Sequence, residues 1–161
     1  MATRPTTALS TTAAALLVGL AAPATAVEGE VIELTQTGCQ FLESENGIDH
    51  GFAPKSAEDC NRINAETGAG RLEQAKALEL APGTYTFRVA NADVPYELGF
   101  WLREADYEPG NPLHKLTKTS VSGGGLTQGK SNDYVVELAP GEYLYSCPLN
   151  PTPNYRLVVK G

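Results

Sequence analysis

The chain has 161 residues, the length of one ordinary domain, and its 42% apolar and 19% charged residues are a globular balance rather than a disordered or collagen-like one. A net charge of −7 argues against docking on nucleic acid or anionic lipid, both of which need a basic face. Two histidines in the whole sequence exclude most histidine-based catalytic and metal sites.

Residues 1–26 read as a secretory signal peptide. Arg4 is the only charge before an apolar run from Ala13 to Ala22, and Pro23-Ala24-Thr25-Ala26 supplies a helix breaker and a small-residue cleavage site. The run is half the roughly twenty residues that span a bilayer. Cleavage there leaves residues 27–161 as a single domain and removes only the charge of Arg4. The expected product is periplasmic or secreted, with no membrane insertion once the signal is cleaved.

An oxidising compartment makes the three cysteines informative. Cys39 and Cys60 flank a polar stretch, and the simplest pairing is a Cys39–Cys60 disulfide with Cys147 free. Three explanations stay open for a free Cys147: a buried inert thiol, a metal ligand, or a cross-link to a partner.

In chain order, Glu30–Gln36 alternates polar and apolar residues as a strand does. A polar excursion from about 44 to 76 follows. Within it Ser56-Ala57-Glu58-Asp59 predicts a capped helix start, with an interruption at Gly68 and Gly70 and a second short helix over 71–77. Further strands are predicted over 84–90, 96–102, 133–138, 142–147 and 155–160. The segment from Glu104 to Gly129 reads as loop, with Gly123–Gly125 as a flexible triplet. Trp101, between Phe100 and Leu102, is expected in the core. The sequence Leu-Ala-Pro-Gly-x-Tyr occurs twice, at Leu80–Tyr85 and Leu138–Tyr143, and predicts two strand–turn–strand units with type II turns. Together these patterns predict an all-β Greek-key β-sandwich with a short α-helical insert after the first strand.

At the C-terminus a strand ends in Tyr145-Ser146-Cys147, a proline-rich loop follows, and Tyr155–Val159 returns as the last strand. Upstream, Gly83–Asn91 leads into Val94-Pro95-Tyr96-Glu97. This pattern resembles the cupredoxins, the small blue copper proteins, weakly over 31–41 and well over 78–160. The resemblance implies a cupredoxin-type sandwich, with copper as candidate cofactor and electron transfer or copper handling as function. In that family a trigonal site uses one thiolate and two imidazoles, with a weak axial methionine. Cys147 matches the family cysteine. Asn150 stands where one histidine belongs, Tyr96 where the other does, and Tyr155 at a common methionine spacing, while the one methionine is Met1. A blue type 1 site is therefore not expected. A divergent non-blue site remains a candidate, with Cys147 and His50 as ligands and Glu97 or Tyr96 as oxygen donors.

Other chemistry finds no support: there is no Cys-x-x-Cys pair, no Gly-x-Ser-x-Gly elbow and no phosphate loop, and enzyme activity is not expected. The alternative function is a metal-free cupredoxin-fold module that binds a periplasmic protein or small ligand. Under it, Tyr96, Asn150, Tyr155 and the insert around His50 form the recognition surface, and Tyr96 and Asn150 are replaceable without unfolding.

Overall fold

Strict period-two alternation marks β4 (Gly83–Asn91), where buried residues alternate with partly buried ones, and the second half of β7 (Ser131–Leu138), where they alternate with exposed ones. The computed structural model describes residues 29–161 and Met1; the rest of the expected signal peptide lies outside the described residues. Around β4 and β7 gather β1 (Glu30–Thr37) and the short β2 (Gln40–Phe41), in the order β2-β1-β4-β7. The second sheet has the order β3-β9-β8-β5-β6, from β3 (Leu78–Leu80), β5 (Leu98–Glu104), β6 (Ser120–Leu126), β8 (Gly141–Ser146) and β9 (Tyr155–Val159). β1 runs parallel to β4, and β3 parallel to β9; the other pairs are antiparallel. The core between the sheets is largely aromatic. Phe100 lies 5.8 Å from Phe87 and 5.0 Å from Tyr134, and Phe41 meets Tyr145 and Tyr155 edge-on.

The structure corrects four local expectations. First, α1 (Ala57–Gln74) passes through Gly68 and Gly70 without a break. Gly68 is buried, and a Cβ there would meet Asn64 and Pro153 only at ordinary van der Waals distances of 3.4 and 3.9 Å. Ser56 is extended at the helix start but makes no side-chain cap. Second, the segment read as loop contains β6, whose glycines fit tight neighbours: a Cβ on Gly123 would come 2.8 Å from the Tyr134 ring. Third, Trp101 is half-buried on the outer face of its sheet, where Arg103 stacks on it at 3.8 Å and Nε1 donates to Ser120. Fourth, the two Ala-Pro-Gly-x-Tyr units are arches between the sheets, from β3 to β4 and from β7 to β8, and neither glycine has positive φ. Each arch is held by its tyrosine, as Tyr85 and Tyr143 donate to the carbonyls of Ala81 and Ala139.

Candidate functional site

Cys147 follows the last residue of β8 and is 1% exposed. Its Sγ accepts the N–H of Gly99 at 3.3 Å and of Asn150 at 3.1 Å. Burial pushes the thiol pKa up despite these donors, so Cys147 is a neutral thiol at ordinary pH. The short loop that follows turns back because Cys147 N–H also donates to Thr152 Oγ1, at 3.0 Å.

That turn places Asn150, which is fully buried, at the end of the sandwich. Its Oδ1 accepts from Cys39 N–H at 3.0 Å and from the Tyr96 hydroxyl at 3.1 Å, and its Nδ2 donates to the Thr37 carbonyl at 3.0 Å. Cys39 and Cys60 form the expected disulfide, with Cys147 free. Cys60 Sγ lies 3.0 Å from Asn150 Oδ1 and 3.7 Å from the Tyr96 hydroxyl. Being oxidised, this sulfur carries no proton, so the approach is packing rather than a hydrogen bond. The disulfide and the first turns of α1 thus cover Asn150.

Tyr96 is presented by a turn that Asn91 builds: Asn91 Nδ2 donates to the carbonyls of Val94 and Tyr96, and its Oδ1 accepts Val94 N–H. Tyr96 is half-buried, and its pKa is pushed up to about 12, by burial first and then by proximity to Cys147. It is a protonated donor across the neutral range.

His50 and Tyr155 belong to a different cluster. His50 Nε2 lies 2.7 Å from Glu45 Oε2, and its ring stacks on Phe52. Arg71 donates to both oxygens of Glu45 through Nε and Nη2, and through Nη2 also to the Cys39 carbonyl. The Tyr155 hydroxyl donates to Glu45 Oε1. Glu45 and Arg71 are 4% and 7% exposed, a buried ion pair. Burial alone would raise the Glu45 pKa, but the hydrogen bonds from Arg71 and Tyr155 outweigh it and hold the carboxyl below its usual value. The expected approach of His50 to Cys147 gives way to this arrangement, because Glu45 offers His50 an acceptor. Glu97 likewise accepts from Gly125 N–H at 2.8 Å. The recognition surface expected from Tyr96, Asn150 and Tyr155 is corrected too: Asn150 and Tyr155 are buried, at 0% and 1% exposure, and Asn150 is a structural cross-link.

Sequence reading missed Glu45 and Arg71. A signal existed: Cys60, Asn64, Gly68 and Arg71 recur at helical spacing, a stripe without the large apolar side chains that usually mark a buried face. Asn64 donates to the Pro151 carbonyl and accepts from Arg71 Nη1, so the stripe faces the fold.

No family model matches the chain, and no curated protein matches it in sequence. Solved structures do resemble it. Auracyanin B superposes with a TM-score of 0.51 at 13% identity, covering 85% of this chain and 93% of that one. The fold is that of the cupredoxins. Auracyanin A, a "blue" copper protein from the green thermophilic photosynthetic bacterium Chloroflexus aurantiacus, gives 0.42 at 16% identity over 81% of this chain and 98% of its own. Reduced rusticyanin gives 0.37 at 17% identity over 55% and 63%.

Within this cupredoxin fold the residues that the sequence resemblance sets at ligand positions do not fit a type 1 copper. The set offers one neutral thiol, a carboxamide and two phenols, with no imidazole and no thioether. The Asn150 carboxamide and the Tyr96 phenol are already bonded to each other, the disulfide packs on both, and the Tyr155 phenol is bonded to Glu45. Among the described residues, no three His, Cys, Asp or Glu side chains are grouped to hold a metal ion.

Proposed function

We propose that the protein is an exported, metal-free binding module of cupredoxin fold rather than a copper carrier. The Asn150 side chain carries this reading. The sequence resemblance sets it at a ligand position, yet it is fully buried and spends both its oxygen and its amide nitrogen on residues of the β1–β2 turn and on Tyr96. A metal there would have to break three hydrogen bonds and displace a disulfide to reach one protonated thiol. Export is supported by the Cys39–Cys60 disulfide, a bond that persists in oxidising compartments.

The test is a copper titration of the mature protein under non-reducing conditions. After dialysis, Cu(II)-treated protein is expected to retain no stoichiometric metal and to show no intense visible thiolate band. Copper retained at one equivalent, and lost in Cys147→Ala, overturns the reading in favour of a divergent copper site.

A further inference from the structure

The sandwich is open along one side. Between β3, the edge of its sheet, and the part of β1 that lies beyond its short pairing with the edge strand β2, there is a cavity of about 620 Å³. Its lining includes Ile32, Leu34, Leu78 and the core residue Tyr145, with Glu33, Glu43, Glu79 and Lys76 around them. Glu43 accepts Thr35 N–H, while Glu33 and Glu79 are held only by exposed surface pairs with Arg88 and Lys160, which a bound cation can replace at little cost. Ile32 and Leu78 pack on the core yet stay only partly buried.

Both walls offer unused backbone. Along a regular strand, residues turn their N–H and C=O alternately to one side and the other. Thr35 is turned away from β4, since its N–H donates to Glu43 and its carbonyl accepts from Leu42. By the same alternation Val31 and Glu33 face that side, where β2 pairs only with Gln36 and Thr37. In β3 the Leu80 carbonyl accepts from Lys160 on the β9 side, which turns Glu79 to the groove. A free strand edge beside apolar side chains is a template for an added strand.

We propose that this groove binds an extended peptide segment of a partner protein, alternating apolar and cationic residues, which adds as a strand to the open edge of β1. Its apolar side chains descend onto Ile32, Leu34 and Leu78, and its cationic ones meet the carboxylates of Glu33 and Glu79. The inference rests on the binding-module reading and names its partner class.

The probe is acetyl-Lys-Val-Lys-Val-Lys-Val-amide, with the corresponding Glu–Val peptide as control, followed by amide shifts in the NMR spectrum of the intact mature protein. The Lys–Val peptide is expected to give saturable shifts centred on Val31, Glu33 and Glu79. Reversing these two exposed charges, in Glu33→Lys/Glu79→Lys, should weaken binding by about tenfold with the spectrum otherwise native. Equal binding of the Glu–Val peptide, shifts centred elsewhere, no shifts, or self-association through the same amides without peptide each overturn the groove assignment. The copper titration is independent of this experiment: failure to bind peptide with copper still unbound removes the groove and leaves the metal-free reading standing.

Discussion

Asn150 shows how the chemistry of one buried side chain decides what its position can do. An imidazole at this spacing presents a lone pair to a metal, whereas a carboxamide has a donor and an acceptor that both need partners when buried. Cys39 N–H, the Tyr96 hydroxyl and the Thr37 carbonyl are those partners. Cys39 also holds a left-handed backbone with φ of 62°, uncommon for a residue with a Cβ, and its N–H and disulfide both fix it there. Asn150→Ala should leave these groups unsatisfied in a buried place and cost about 2–4 kcal/mol, read from the urea midpoint. An unchanged midpoint would show that water replaces the amide without penalty. Sequence spacing locates Cys147, Asn150 and Tyr96 as one constellation. It does not say what Asn150 bonds, because those partners lie up to 113 residues away and a carboxamide has no preferred partner type.

At the scale of elements, most strands were legible, β2 and β6 were not, and the insert was only partly so. Period-two alternation fixes β4 and β7 because one face of each is less buried than the other, while β6 hides behind Ser and Gly residues selected by contacts such as Gly123 against Tyr134. Helix α1 was legible as a start but not as a continuous element, since it is held by polar links rather than by an apolar stripe. The main link is the Arg71–Glu45 pair, which joins α1 to the 3-10 turn Glu43–Glu45. The folded state holds the Glu45 pKa below its ordinary value of 4.5. Its contribution to stability is therefore present above about pH 4.5 and is lost as pH falls through the lowered value. Glu45→Gln, which leaves Arg71 buried without its countercharge, should cost about 3 kcal/mol at pH 7. The gap from wild type should narrow steadily below about pH 4.5 in thermal melts across pH. A gap that stays constant down to pH 3 would remove Glu45 from the acid response.

For the whole molecule, the disulfide ties the insert to the sandwich at the end where Asn150 and Tyr96 lie. Reducing it in the intact protein should lower stability by about 3 kcal/mol, a value set by the 21-residue separation, and denaturant melts with and without a dithiol reductant measure it. The pairing itself was legible from cysteine arithmetic. The sandwich was legible from strand pattern and the doubled Ala-Pro-Gly-x-Tyr unit, although its turn type was not, because the tyrosine hydroxyls close each arch from outside the turn. The same end of the molecule also has a history in time. The disulfide links positions 21 apart, whereas Asn150 docks on residues 111 and 113 positions earlier. A chain that emerges N-terminus first offers Cys39 and Cys60 to each other well before Cys147 arrives. Their early union leaves the third cysteine no free thiol in its own chain to mispair with, and gives the C-terminal loop a finished surface on which to close last.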